Sequence, residues 1–532
     1  MRRTFTAVSA LAIGTLVLSA CGNGGADTGD PAAEATAPDT SEVCTEDRVG
    51  GEIIVGEYAM LTSFAPGQGG YGVFGGAQSA AVFDRLMRWD PGAEEFVPQL
   101  AESLESNEDN TAWTLTLPEG ITFSNGEELT AEDVVFTLGL HQDPGLRSMA
   151  LSEAMNVETV EVENPLTVRY TLTEPWANFP MLLAGVAGEV IPQETYQATD
   201  PGEWARNPVG AGAFMVENYI PDQETVLVPN PDYHAGVVCP TLRFTHISGG
   251  QGTLDALSTG ELQVGFLRGA EFVADAKGQG VPGYESTDSA GRVVNMNSGS
   301  GGYDGVLTDE RARRAISHAI DRELFDDRMT GGVGQPTSAL LAESSRFYDG
   351  AEGLAYDPEL ATELLDEVRA DHPEWDGNLD MLLIASPENQ ESGILIQSML
   401  GAVGIDVRIE SVPVSQNTAR VLRGDYELSI SGLSTSDADP SAAFVANLTP
   451  GGQNRTGVND PALTEAALST KTAPDFESQV ESYRTLQKVF NEVQPFAVLA
   501  SAEQYIAVND TVSGVFPTMN STVLYDKAYV EQ

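Results

Sequence analysis

The sequence predicts an α/β protein whose second half is built round a parallel sheet, and three observations carry that expectation. Residues 379–431 alternate strand and helix patterns in the order βαβαβ, which requires parallel strands joined by right-handed crossovers. The first half shows short alternating stretches of the antiparallel kind, separated by only a few helices. The chain beyond its N-terminal segment, roughly 490 residues, exceeds one ordinary domain and predicts two or three.

The N-terminus reads as an export signal. Arg2 and Arg3 precede an uncharged apolar run, residues 7–18, too short to span a bilayer. Leu18-Ser19-Ala20-Cys21 forms a lipobox, which predicts a cleaved signal over residues 1–21 and a lipid on Cys21. The mature protein is then held on the outer face of the cell membrane. Residues 22–43, rich in Gly, Ala, Asp, Pro and Thr, cannot form a core and read as a disordered tether.

The body follows in order. Ile53-Ile54-Val55 is a short strand pattern ahead of a Gly-rich turn. Residues 77–89 carry helical spacing, with Ala80, Phe83 and Met87 on one side and Ala81, Asp84, Arg85 and Arg88 on the other. Trp113, Leu115 and Leu117 alternate with Thr114 and Thr116 as in a half-buried strand, and Leu166, Val168, Tyr170 and Leu172 alternate again. Thr130 opens a helix with an acidic variant of the capping box, Thr-Ala-Glu-Asp. Residues 309–328 place Ala312, Ala315, Ile316, Ala319 and Ile320 on one stripe, with Asp309 and Glu310 near the positive end of the helix dipole. Asp357-Pro358 caps the next helix. The predicted βαβαβ unit then has strands over 379–385, 405–409 and 427–431 and helices over 390–402 and 414–423. Ligands of open α/β sheets sit outside the carboxyl ends of the strands. The polar loop Ser434-Thr435-Ser436-Asp437-Ala438-Asp439-Pro440 falls there and is the first candidate site.

Composition narrows the function. A net charge of −52 disfavours nucleic acid as a partner, because phosphate repels such a surface. The acidic residues are scattered, as in a solvated coat suited to a salty environment; steering of a cationic ligand is the other reading. With Cys21 modified, Cys44 and Cys239 remain, an even pair that favours a disulfide in an oxidising compartment. Five histidines show no ligand spacing, so no metal and no cofactor is expected. Gly67-Gln68-Gly69-Gly70-Tyr71-Gly72 matches a dinucleotide fingerprint in letters, but it follows Pro66 in an exported chain and reads as a flexible loop. None of the four lysines follows a glycine, which removes the phosphate-binding P-loop, and no G-x-S-x-G elbow occurs. The chain is not expected to be an enzyme.

Residues 100–138, LAESLESNEDNTAWTLTLPEGITFSNGEELTAEDVVFTL, strongly resemble the segment that marks family 5 extracellular solute-binding proteins. Four further blocks agree in order: residues 207–234, NPVGAGAFMVENYIPDQETVLVPNPDYH; 311–321, RARRAISHAID; 356–365, YDPELATELL; and 401–414, GAVGIDVRIESVPV. The resemblance implies a two-lobed periplasmic-binding-protein-like fold of class II, cluster C, with an extra domain inserted in the first lobe. Residues 44–71, 188–283 and 495–532 would form domain I, residues 72–187 the inserted domain II, and residues 285–494 the opposing lobe. It also implies a monomer that captures a di- or oligopeptide between its lobes and delivers it to an ABC permease with a separate ATPase. A sugar, nickel or a metal chelate is the alternative cargo; a surface-anchored hydrolase and a sensory module are the alternative roles.

In the peptide binders of that family an aspartate, three positions before the acidic residue of an Asp/Glu-Pro step, pairs with the ligand's amino terminus. Counting back from Asp439-Pro440 puts Ser436 there, with Asp437 one place later, and Leu433 stands where an aromatic is usual. The expected ligand contacts are therefore Ser434, Thr435, Ser436, Asp437 and Asp439. Phe64 after the first strand, and Asn295 and Asn297 near the interlobe crossing, are added to them. Trp176 and Trp204 are expected in the core.

Overall fold

The computed structural model describes residues 43–68, 72, 75–247, 249–436, 438–451 and 453–531. Cys21, Asp437 and the predicted signal and tether up to residue 42 lie outside them. An eleven-stranded sheet organises the molecule. Its order runs Asp406–Val412, Asn378–Ile384, Leu428–Ser431, Gly283–Met296, Phe496–Val508, Val264–Arg268, Glu52–Glu57, Thr241–His246, Glu224–Pro229 and Phe214–Ile220. The short Gln335–Pro336 pairs alongside Phe496–Val508.

Two long strands make this one sheet into two lobes. Gly283–Met296 and Phe496–Val508 run antiparallel through both halves. At one end Phe496–Val508 borders Val264–Arg268; at the other Gly283–Met296 borders Leu428–Ser431. Between these ends the register breaks, from Asp288 opposite Ala502 to Arg292 opposite Ala500. Ala290 in the break is buried with φ +51°, a conformation that costs a non-glycine residue on the order of 1–3 kcal/mol. A side chain on Gly291 would overlap Ala502. The extra residues lie in Gly283–Met296, and the bulge bends that strand where the lobes part.

The predicted βαβαβ unit is present. Asn378–Ile384 pairs in parallel with both Asp406–Val412 and Leu428–Ser431, and the crossover helices are Pro387–Ala402 and Val414–Leu422. The helix over residues 309–328 is in fact two, Glu310–Ala319 and Arg322–Thr330, because the chain leaves helical geometry at Ile320 and Asp321 caps a new start at Leu324 N. The expected helix over 77–89 is also shorter. Gly76–Phe83 ends at Asp84, where φ is +59°, and Met87–Asp90 becomes a strand. Met87 and Trp89 are buried and alternate with half-buried neighbours; this two-residue period was overlaid on the helical one.

A separate antiparallel sheet, Ser103–Ser106, Ala112–Thr116, Thr167–Leu172 and Val157–Asn164, stands over a core that includes Trp113, Tyr170, Trp176 and Phe179. Its helix Ala131–His141 starts where the Asp133 carboxylate accepts from Thr130 N and Oγ1 at 3.0 and 2.9 Å. Trp204 is buried with the first-lobe core. Cys44 and Cys239 are joined by a disulfide with Cα atoms 5.7 Å apart, tying the start of the fold to its middle. No helix among the described residues is long and apolar enough to cross a membrane.

Candidate functional site: an interlobe cleft over the crossing strands

The parallel strands Glu52–Glu57 and Val264–Arg268 of one lobe, and Leu428–Ser431 of the other, end at a common cleft of about 600 Å³. That volume lies within the ~300–1,000 Å³ of ordinary small-molecule sites. The crossing strands form its floor, through Ser286, Asp288, Ser501 and Gln504. Tyr58, Arg268 and Phe272 stand on the first-lobe wall, and Gly432, Leu433, Ser434 and Thr435 on the other. Two helices, Gly250–Thr259 and Ala270–Gly278, begin at the cleft rim behind N-cap glycines.

The polar loop is strapped to the bulge. Thr435 N donates to Asp288 Oδ1 at 3.0 Å, Thr435 Oγ1 to the Ser289 carbonyl at 3.3 Å, and Leu433 N to the Ala290 carbonyl at 3.3 Å. Gly432 is required there, since a Cβ would lie 2.4 Å from the Gly291 carbonyl oxygen. Leu433 and Thr435 are thus tied directly to the bulge. Ser436 is buried, and its Oγ has no hydrogen-bond partner among the described residues.

Four expected contacts sit elsewhere. Asp439 is 1% exposed and off the cleft wall. Its carboxylate accepts from Ser441 N at 2.8 Å, Tyr483 Oη at 2.9 Å, Gln479 Nε2 at 3.2 Å and Asn178 Nδ2 at 2.5 Å. Four protein donors fill it, and the last comes from the antiparallel-sheet unit. Asp439 therefore joins the lobes rather than a ligand. Phe64 packs edge-on against Tyr219, with ring centroids 5.1 Å apart, inside the first-lobe core. Asn295 donates to Ser429 and Ser431 hydroxyls. Asn297, fully buried, donates to the carbonyls of Ser300, Gly424 and Tyr426 and accepts from Gly299 N and Ser300 N. Asn297, saturated at both ends of its amide, holds a turn together and has nothing left for a ligand, while the Asn295 amide nitrogen is taken up by the neighbouring strand.

Asp439 belongs to a wider contact between the lobes. Arg346 donates to the Glu94 carbonyl at 2.9 Å and lies 4.6 Å over the Trp89 ring. Lys471 Nζ meets Asn156 Oδ1 at 2.5 Å and lies 5.1 Å from the Trp176 ring centre; burial pushes its ammonium pKa down. Asn110 reaches the Pro474 carbonyl at 3.2 Å. The cleft is thus enclosed between a flexed floor and a polar latch.

Tyr58, Arg268, Asp288 and Gln504 were missed in the sequence. Tyr58 directly follows a parallel strand and Arg268 ends another, so the strand-end rule that found the 434–439 loop would have found both. Among the described residues no cluster of three or more His, Cys, Asp or Glu could hold a metal ion.

Comparison with known proteins agrees with this architecture. The model of the bacterial extracellular solute-binding proteins, family 5 Middle, matches residues 95–455. The chain belongs to that family. Di/tripeptide-binding protein 2 of Pseudomonas aeruginosa is 26% identical over 518 residues, covering 90% of this chain and 92% of its own. Among solved structures, the oligopeptide-binding protein AppA of Bacillus subtilis, in complex with a nonapeptide, superposes with a TM-score of 0.74 at 18% identity, over 91% of this chain and all of its own. The PBP AgaA of A. tumefaciens R10, in complex with agropinic acid, gives the same TM-score at 21% identity, over 91% of this chain and 99% of its own. The family's two-lobed α/β fold is the fold seen here.

Proposed function

We propose that the protein is the extracytoplasmic substrate-binding lipoprotein of an ABC importer, anchored through Cys21, which captures a short peptide and presents it to a membrane permease. The observation that carries this reading is the cleft of about 600 Å³, floored by two strands shared between the lobes of the main sheet. Ligand touching both walls stabilises the form in which the lobes meet, and a permease can then distinguish loaded from empty protein. The division into residues 44–71 with 188–283 and 495–532, residues 72–187, and residues 285–494 belongs to the same reading. It is supported by the crossing strands, which begin at Gly283 and Phe496.

Peptide is favoured because AppA and the di/tripeptide-binding relative carry peptide-binding names over nearly the whole chain. A non-peptide organic anion is the second reading, favoured by AgaA and by serine at position 436, which cannot neutralise an ammonium. The test is a thermal-shift screen of the mature chain against free di- and tripeptides, with sugars and organic acids, agropinic acid among them, alongside. Peptide-dependent stabilisation without turnover is expected; stabilisation by an anion alone would transfer the cargo to the second reading. Radiolabelled fatty acid should enter the wild type and not Cys21→Ala.

A further inference from the structure

We propose that the seam between the lobes is a salt-responsive clasp, in which mobile ions decide how readily two acidic lobes join; this rests on the capture reading above. The net charge of −52 is shared by both partners of the closing motion. Residues 72–187 carry 19 acidic and 4 basic side chains, a net of −15, and no lysine. Residues 285–494 carry 35 acidic and 15 basic side chains, a net of −20. Joining the two therefore works against repulsion between like charges. Among the described residues no ion pair links these two stretches to offset it.

The contacts themselves show the conflict. Where Asn110 Nδ2 reaches the Pro474 carbonyl at 3.2 Å, an exposed aspartate adjoins each side, Asp109 and Asp475. Hydrogen bonds from Thr111 Oγ1 to Asp109 and from the Ser478 amide to Asp475 hold both carboxyls below their ordinary value, so both are ionised at neutral pH. Arg346 crosses to the carbonyl of Glu94, and the side chains of Glu94 and Glu95 are exposed beside it. Lys471 is set among Glu153 and Glu174 from one side of the seam and Asp439 from its own. Both of these cations belong to residues 285–494 and are half-buried, and Asp439 is fully buried. Salt acts unequally on the two kinds of group. Its screening length falls from about 10 Å at 0.1 M to about 3 Å at 1 M, and it weakens exposed charges far more than buried ones. Rising salt therefore removes the repulsion among Glu95, Asp109, Asp475 and their exposed neighbours, and leaves the grip of Lys471, Arg346 and Asp439 in place. The acidic coat then sets the balance between separated and joined lobes.

The test is small-angle scattering of the ligand-free mature protein in 0.1 and 1 M NaCl, with isothermal titration of Ala-Ala-Ala at both salts. The ligand-free protein is expected to contract at 1 M, and the apparent affinity for the tripeptide to rise about 10-fold. Asp109→Asn combined with Asp475→Asn removes one charge from each side of the seam. Asparagine keeps an acceptor for Thr111 and for the Ser478 amide, where it also serves as a helix cap. The double variant is expected to bind about 2- to 5-fold tighter than the wild type at 0.1 M and equally at 1 M. A scattering profile that does not change with salt would overturn the clasp, and so would a double variant that gains equally at both salts. Both results leave the capture reading standing if peptide still contracts the protein. Contraction by salt in a protein that binds neither Ala-Ala-Ala nor any other di- or tripeptide would support the clasp and overturn the peptide reading.

Discussion

Replacing Asn178 by alanine should open the molecule without disturbing either lobe. Asn178 Nδ2 donates to Asp439 Oδ2 at 2.5 Å and to Gln479 Oε1 at 3.1 Å, both across the interlobe seam. Asp439 keeps three donors from its own lobe when the amide is gone, so no buried charge is stranded. Two hydrogen bonds are lost, and the one to the carboxylate, about 1.5–3 kcal/mol, sets the scale, with the neutral one to Gln479 adding to it. The loss falls on the equilibrium between separated and joined lobes, a factor of about 10–100. If peptide is bound in the joined form, its apparent affinity falls by up to that factor, depending on how much of the free protein is already joined. The remaining latch contacts, Arg346 with Glu94 and Lys471 with Asn156, limit the effect. Asn178→Asp should act more strongly, because it places a second carboxylate against Asp439. Calorimetric affinity and small-angle scattering of the ligand-free protein measure the two sides of the equilibrium. Unchanged affinity together with an unchanged scattering profile in Asn178→Asp would refute the latch.

Three further outcomes follow from buried groups. Burial pushes the Glu57 carboxyl up from 4.5 to about 8, against one hydrogen bond from Gln78. The folded state then keeps a proton that the unfolded chain releases, so this contribution is complete below about pH 4.5 and is lost as pH rises to about 8, at about 1.4 kcal/mol per unit. Glu57→Gln should match the wild type near pH 5 and melt higher at pH 8, since its amide also offers a donor to the buried Gln78 Oε1; parallel melting curves at both pH values would contradict this. Gly432→Ala should destabilise by about 1–3 kcal/mol in chemical denaturation and weaken binding, because the new Cβ meets a backbone carbonyl that cannot rotate away. Ser436→Ala should leave the ligand-free protein equally or more stable by about 1 kcal/mol, since it removes a buried hydroxyl without a partner among the described residues. A clear loss in thermal melting would show that the hydroxyl is bonded.

How much was legible depends on the range of the forces involved. The βαβαβ unit was readable because each element shows its period locally: Gly404 follows the first crossover helix, and Val407 and Ile409 alternate in the second strand. Strand-end geometry then pointed to Ser434 and Thr435, which do line the cleft. Asp439 had the same local credentials and went elsewhere, because Asn178, distant by 261 positions, supplies a donor that no pattern near residue 439 announces. Phe64, Asn295 and Asn297 were drawn into the core for the same kind of reason: their partners are set by packing between elements.

The sequence by itself determined the family, the alternation of strands and helices, and the charge and cysteine pattern, all of which follow from short-range periodicity and covalent order. Only the tertiary structure decided that two strands pass through both lobes, that their register breaks at Ala290, and that Arg268 comes to stand across Gln504 from Ser286. Those facts depend on pairing between segments more than 200 residues apart, where hydrogen-bond register and close packing, not local propensity, choose the partner.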